Sequence, residues 1–409
     1  MVTDICQSLF FIFCKQRIKN DNNHILYYYK AKTNFKWREI NNMKTKFFGL
    51  GAGGNKAVIK LLEDDICHKD DVVLVNSTKR DIPKDFDGKT IIFNTTEGGC
   101  GKERSIAKKY VIDAIKSGKF DEIFTQDYDS YVFVTSLEGG TGSGSTPIIA
   151  KYCSEVLGKT VHIIAFAGFN ADARGLQNSV EFFQEIDFEC DVQCIDLKAF
   201  VSAAGGNHLK AEELADEEVA QRINILLGKN IMASTSNIDQ TDLMKLVNTS
   251  GYKTIEHAEF KEDLVDVKQF NQLCKRMIYA SKSLKSNNPA QLRLGVILNI
   301  KPESEDAVDY DFNVIKEAYG FPYETFFHKQ YDGGVQYIEF ISSGMKLPID
   351  EIKAIHEKYI EESARVNKSA DEFFKEVQSL SKNDGDEIFD MVDNTKKPTM
   401  SKSDFFGNI

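Results

Sequence analysis

This 409-residue chain lacks a long apolar run, an excess of positive charge and any paired metal-ligating cysteines. No apolar stretch approaches the roughly 20 residues that cross a bilayer, and the best candidate, Leu9 to Cys14, is short and has no basic region before it. The expectation is a soluble, cytoplasmic protein with no direct membrane insertion. Its 51 Lys+Arg face 62 Asp+Glu, a net charge of −11 with pI near 5.3. Binding bare nucleic acid over a whole surface needs a cationic face, so no direct sequence-specific DNA binding is expected. The 8 cysteines, at 6, 14, 67, 100, 153, 190, 194 and 274, form no CxxC and have no His at zinc spacing, so no metal ligands are assigned. Even spacing puts Cys190 and Cys194 on one face of a strand, as buried reduced thiols.

Glycine is missing from Met1 to Asn42, which holds eight aromatics, the only Trp (Trp37), and seven Lys/Arg against three Asp/Glu. The rest of the chain therefore carries −15. Residues 1–42 show no clear helical or strand period, whereas Met43-Lys-Thr-Lys-Phe-Phe-Gly49 opens as a strand. The expectation is that translation starts at Met43, with a basic aromatic arm for docking on a partner as the rival.

From Lys44 a short apolar strand, a glycine turn and an amphipathic helix recur. Strand candidates are Phe47-Phe48, Val72 to Val75, Thr90 to Phe93, Tyr131 to Leu137, Thr160 to Ala167 and Val192 to Ile195, with helical spacing at Ser105 to Ile115. This is the pattern of an α/β, doubly wound, mainly parallel sheet covered on both faces, whose ligands bind beyond the carboxyl ends of the strands. Gly49-Leu-Gly-Ala-Gly-Gly54 fits G-x-G-x-x-G between strand and helix. A dinucleotide site should also present an acid after the second strand, but Asn76-Ser77-Thr78 stands there, which lowers the alternative of a dinucleotide-binding oxidoreductase. A P-loop does not fit either, because Gly98-Gly-Cys-Gly-Lys102 is followed by Glu103 instead of a hydroxyl.

A second loop is more specific. Strand Tyr131 to Leu137 runs into Glu138-Gly-Gly-Thr-Gly-Ser-Gly-Ser-Thr-Pro147 and then the helical Ile148 to Tyr152. Four glycines and four hydroxyls ring one helix start, predicting a cradle of N–H groups and hydroxyls for an anion. Residues 139–144 match the G-G-T-G-[ST]-G phosphate loop at every position, and here the sequence resembles the tubulin/FtsZ superfamily of polymerising GTPases. Gly49-Leu-Gly-Ala-Gly-Gly-Asn-Lys-Ala-Val58 is similar to that family's first loop, with Lys56 in place of its second Asn. The resemblance covers about residues 43 to 345.

What the resemblance implies is a GTP-binding domain over 43–208, a central helix at 209–230, a second, α+β activation domain at 231–347, a C-terminal helix at 348–380 and a flexible tail at 381–409. Nucleotide contacts carried over from the family fall on Gly51, Ala52, Gly53, Asn55 and Lys56, on Asn76 and Thr78, and on Gly98 and Gly99. They continue with Gly139, Gly140, Thr141, Gly142 and Ser143, and with Arg174 and Asp216. Asp216, in Leu214-Ala-Asp-Glu-Glu-Val219, is chemically suited to guanine, since a carboxylate accepts from both the ring N–H and the exocyclic amine. The family's other guanine ligand, an Asn, is replaced by Leu197. Asn237-Ile-Asp239-Gln-Thr-Asp242 matches the family's N-x-D-x-x-D. The implied roles are Asn237 as a subunit contact and Asp239 and Asp242 as catalytic acids acting in a neighbour's site; on spacing alone these residues also read as a capping box. Implied cofactors are GTP/GDP and Mg2+, and the implied assembly is a head-to-tail filament of the chain with itself.

From Tyr252 onward helical stretches are expected to lead to strands at Gln291 to Ile300 and Gly334 to Ile341, then to a charged helix from Pro348 to Leu380. The tail, ending Asp404-Phe-Phe-Gly-Asn-Ile409, lacks the hydrophobic-basic peptide of division proteins. The resemblance therefore leans to the TubZ-type branch of plasmids and phages, whose filaments move DNA through a DNA-bound adaptor, here through the tail. An FtsZ-like division filament is the alternative.

Overall fold

The computed structural model describes residues 13–19, 25–31, 44–93, 98–124, 127–169, 172–229, 231, 238–286 and 290–380. Asn237, the tail 381–409 and the rest of the first 42 residues lie outside them. Within 1–42, where no period was legible, β1 (Phe13–Lys19) pairs antiparallel with β2 (Ile25–Ala31).

The main body begins with β3 (Thr45–Leu50), α1 (Gly51–Glu63), β4 (Val72–Asn76), β5 (Lys89–Ile92) and α2 (Arg104–Lys116). It continues through β6 (Ser130–Ser136), α3 (Thr141–Lys151), β7 (Thr160–Ala167), α4 (Ala173–Gln184), β8 (Asp191–Asp196) and α5 (Lys198–Val201). The long α6 (His208–Leu226) leads to α7 (Gln240–Val247), β9 (Gly251–Phe260), α8 (Val267–Tyr279), β10 (Arg293–Asn299) and α9 (Asn313–Tyr319). β11 (Glu324–Gln330), β12 (Gln336–Met345) and α10 (Ile349–Leu380) follow.

One ten-stranded sheet runs through both halves in the order β11-β10-β12-β9-β8-β7-β6-β3-β4-β5. The β5-to-β8 part is wholly parallel, and its order reverses between β3 and β6, so a crevice opens where the loops after those strands diverge. Alternation within the buried strands feeds two cores. Phe48, Val73, Val75 and Phe133 pack under α2, α3 and α4, whereas Phe47, Leu74, Val134 and Ile164 pack under α1 and α6. The α/β class, with a mainly parallel sheet, a central helix and a smaller α+β half, is as expected, but the strands of the two halves form one continuous sheet.

The second half differs in detail from the pattern read in the sequence. Helix was expected from Tyr252, but β9 occupies 251–260, bridging the halves through the pairs Asp191↔Gly251 and Val192↔Tyr252. Its buried positions include Lys253, Thr254 and Glu256, so polar side chains conceal the strand's apolar period. β11 and α4 also went unrecognised. Helices α8 and α9 cover one face of the β9-to-β12 part of the sheet through Phe270, Leu273 and Ile315, and α7 covers the other through Leu243 and Leu246. Cys190 and Cys194 are buried free thiols as expected, and Cys67, Cys100, Cys153 and Cys274 are free as well. Among the described residues no helix is long and apolar enough to cross a membrane.

Candidate functional site

Both glycine loops stand at the sheet's switch point and touch. Gly51, the first residue of α1, has φ +73°, and a Cβ there would lie 3.0 Å from the Gly142 nitrogen. A Cβ on Gly142 would in turn come within 2.6 Å of the Leu50 carbonyl oxygen. One turn further into α1, a Cβ on Gly54 would fall 2.0 Å from the Val134 carbonyl oxygen, so only glycine lets α1 sit this close to β6. A third loop closes the ring, because a Cβ on Gly140 would meet the Lys102 backbone at 2.9 Å.

The helices entering this ring are capped differently from four of those elsewhere, although the short α5 and α9 also start without a side-chain cap. α4, α6, α7 and α8 each begin with a side chain that accepts a backbone N–H: Asp172, Asn207, Asp239 and Asp266. α1, α2 and α3 begin at Leu50, Glu103 and Gly140 with no side-chain cap and no acid in the first turn. In α3 the first intrahelical bond is Gly144 N–H to Gly140 O, so the N–H groups of Thr141, Gly142 and Ser143 precede it and face the crevice end of the helix. Three helix amino termini, each with partial positive charge, thus meet here with no side-chain cap of their own, which suits them to an anion.

The hydroxyls of the second loop behave otherwise than the sequence suggested. Three of the four turn inward: Ser143 Oγ donates to Asn178 O, Ser145 Oγ to Thr141 O and Thr146 Oγ1 to Gly142 O. Ser145 and Thr146 thus tie the first turns of α3 together and Ser143 ties α3 to α4, while Thr141 is left at the mouth, its Oγ1 2.9 Å from Ser77 Oγ. Pro147 explains one further contact. Without an N–H it cannot bond to Ser143 O four residues earlier, and the buried Arg104 guanidinium donates to that carbonyl instead at 3.1 Å. Arg104 also binds Glu181 and Glu185 of α4, so α2, α3 and α4 are locked behind the loop.

Residues 98–103 form the third wall. Gly98 and Gly99 are exposed, and Lys102 takes a left-handed φ of +64°. Lys102 pairs with Asp172, whose carboxyl is held below the usual range by the ammonium and by the Gly175 N–H. Arg174 pairs with Glu103 at 2.6 Å, which sets it at the mouth beside the loop. Asn178, which gave no sequence signal, donates to the carbonyls of Lys102, Glu138 and Gly139 and so ties two loops to α4.

On the β4 side Asn55 is fully buried, with Nδ2 3.4 Å from Val75 O and Oδ1 without a hydrogen-bond partner. Asn76 is turned into its own loop, binding Asp81 and the Ser77 N–H, and Thr78 caps the short turn that follows. Ala52 is exposed and Gly53 half-buried in the first turn of α1. Lys56 reaches across to Glu212 of α6 at 3.2 Å, one turn before Asp216. Burial pushes the Asp216 carboxyl up to about 7, against the pull of Lys56. Beside the start of α6 the rings of Phe169 and His208 stack 4.1 Å apart. Leu197 is nearly buried, offering no polar group where an amide was sought.

Asp239 and Asp242 are not part of this ring. They form the capping box of α7, with Asp242 N–H to Asp239 Oδ1 at 2.8 Å and Asp239 N–H to Asp242 Oδ2 at 3.4 Å, and α7 packs on β10 and β12. Among the described residues no hydrogen bond or ion pair joins these acids to the glycine loops. No group of three or more His, Cys, Asp or Glu among the described residues could hold a metal ion.

No protein-family model matches the chain. It is similar to tubulin-like protein CetZ1 of Haloferax volcanii, 25% identical over 239 residues, which are 53% of this chain and 59% of that protein. The match thus spans less than two thirds of that relative. Tubulin-like protein TubZ of Clostridium botulinum C phage is 24% identical over 292 residues, 69% of this chain and 75% of its own. A GTPγS-bound protofilament structure of CetZ2 from Haloferax volcanii superposes with TM-score 0.64 at 17% identity, covering 79% of this chain and all of that one. The fold is shared with that structure.

Proposed function

We propose, on its likeness to the tubulin-like proteins CetZ1 and TubZ and on the fold it shares with CetZ2, that this chain is a tubulin/FtsZ-type GTPase that binds and hydrolyses GTP and polymerises head to tail, each nucleotide site being completed by acids of the next subunit. The observation that carries this is the meeting of three helix amino termini without side-chain caps, α1 with α3 at Gly51 and Gly142 and α2 with α3 at Gly140, an arrangement of helix N–H groups suited to a polyphosphate. In this scheme the N–H groups of Gly51, Ala52, Gly53, Gly139, Gly140, Thr141, Gly142 and Ser143 hold the phosphates. Gly98 and Gly99 close over the outermost one, and Arg174 exchanges Glu103 for phosphate oxygens. Asn76 and Thr78 contribute through the backbone shape of their loop, since their side chains are already engaged.

Base recognition falls to Asp216, which accepts guanine's two edge donors, with the orphaned Asn55 Oδ1 as a further acceptor. Lys56 keeps the Asp216 carboxylate ionised once the site fills. Asp239 and Asp242 stand apart from the ring of their own chain, as acids serving a neighbour must, and there they orient and deprotonate the attacking water. Asn237 precedes them as a subunit contact. Mg2+, when bound with the nucleotide, would neutralise phosphate charge; no side-chain ligand set for it is assigned among the described residues.

The cargo in this proposal is plasmid or phage DNA in a bacterial host cytoplasm, held through an adaptor on residues 381–409; the likeness to a phage tubulin-like protein supports it over a division filament. GTP turnover and light scattering measured together across protein concentration test the core claim. Turnover should rise cooperatively above a critical concentration, with scattering appearing at the same point. Turnover strictly proportional to concentration without scattering would instead mean a self-contained nucleotide-binding protein.

A further inference from the structure

A second set of charges lies deep at the junction of the two halves. His162 on β7, Asp191 on β8 and Lys253 on β9 are at most 3% exposed, and they occupy adjacent strands of the one continuous sheet. Asp191 takes the His162 ring on one side and the Lys253 ammonium, at 2.9 Å, on the other. Burial alone would raise this carboxyl, but Lys253 and His162 hold it below its usual range. The same Lys253 ammonium donates to Val247 O, the last carbonyl of α7. A helix carboxyl terminus carries unsatisfied carbonyls and partial negative charge, so a cation there is well placed.

The strands of the junction are also tied by Ser250 Oγ and Gly251 N–H, which both donate to Cys190 O. Those bonds join β9 to the residue before β8. Lys253 is different, because it runs from a β8 carboxylate of the nucleotide-binding half to α7 itself. Opposite ends of this eight-residue helix therefore carry the Lys253 contact and the Asp239–Asp242 pair.

We infer that His162, Asp191 and Lys253 form an ionic clamp that positions α7, and with it the acids of its first turn, relative to the nucleotide-binding half of the same chain. The inference rests on the proposed shared-site hydrolysis for its catalytic consequence, but not for the clamp itself. These three are positioning residues, since none reaches the nucleotide ring. Three ionisable groups are buried where apolar packing would have satisfied the fold, and the directional contact to α7 is what they add.

The test compares the full-length wild type with Lys253→Met and with Asp191→Asn/Lys253→Met, which removes both charges and so avoids stranding the carboxylate. Three quantities are read: GTP affinity below the critical concentration, turnover per polymerised subunit, and amide hydrogen exchange over residues 240–247. The expected result in the double variant is GTP affinity within about twofold of wild type, filaments that still form, turnover at least about tenfold lower, and faster exchange confined to α7. Unchanged exchange in α7 of a folded double variant overturns the clamp, as does turnover that falls only in step with GTP affinity. Should Lys253→Met alone fail to fold, the double variant carries the test. If the wild type itself shows no concentration-dependent GTP turnover, the shared-site proposal fails, and the exchange measurement still decides the clamp.

Discussion

Burial lifts the Asp216 carboxyl from its ordinary value of 3.8 to about 7, while Lys56 pulls it down and Glu212 and Glu213 push it up. The folded, nucleotide-free protein therefore keeps a proton there that the unfolded chain releases near pH 4. Stability from this group is fully present below that pH and is lost as pH rises towards 7. Guanine needs the ionised form, so GTP affinity should move the opposite way, rising as pH goes from 6 to 8, with a proton released on binding. Isothermal titration in two buffers of different ionisation heat reads both effects. Asp216→Asn should abolish the pH dependence of binding and weaken GTP by about 10- to 100-fold, the value of a charge-assisted hydrogen bond. An amide offers one acceptor and one donor, which matches xanthine's N–H and carbonyl, so XTP should bind the variant better than GTP does. Equal losses for both nucleotides would remove Asp216 from base recognition.

At the scale of elements, α7 and the α2–α3–α4 block make separable predictions. Asp242→Ala breaks the capping box and should cost about 1 kcal/mol in a denaturant melt, as a lost helix cap does. Turnover should fall far more, at least about 100-fold, because a general base is lost too. A turnover loss no larger than the stability loss implies would leave a cap and nothing more. Arg104→Met strands Glu181 and Glu185 and frees Ser143 O. A fully buried pair broken on one side costs about 3–5 kcal/mol; these carboxylates reach solvent, so about 2–3 kcal/mol is expected, with GTP affinity falling as the third loop loosens. The same elements show what could be read beforehand. The parallel strands were legible because both faces are apolar, and the phosphate loop because so many glycines meet at one helix start. β9 was hidden by the buried polar Lys253, Thr254 and Glu256, and the partners of Lys253 and Glu256 come from distant strands and loops. Nor could spacing foretell that Ser145 and Thr146 would spend their hydroxyls inside α3 and Ser143 on α4, or that Asn178 would tie two loops together. The missing caps on α1, α2 and α3 were legible in principle, since Leu50, Glu103 and Gly140 stand where Ser, Asp or Asn would usually be.

For the whole molecule, the separation of Asp239 and Asp242 from the glycine ring turns the question of activity into one of arrangement between copies. A head-to-tail contact joins two different faces, so in a mixture the face with the nucleotide and the face with the acids can come from different variants. Asp242→Ala keeps its GTP site but offers defective acids. Asp216→Asn keeps its acids but binds GTP poorly. Each alone should turn over little GTP at concentrations above the wild-type critical point. Mixed in equal amounts, the Asp242→Ala subunits hold GTP against intact acids of Asp216→Asn neighbours, and turnover should reappear well above the sum of the two separate rates. Supplying XTP provides the internal control: Asp216→Asn alone should then recover turnover, since it has both acids and a nucleotide it can hold. A self-contained site gives the contrary pattern, because mixing supplies neither chain with what it lacks. Rates that simply add in the GTP mixture, with scattering showing that the two variants polymerise together, would rule out a site shared between subunits.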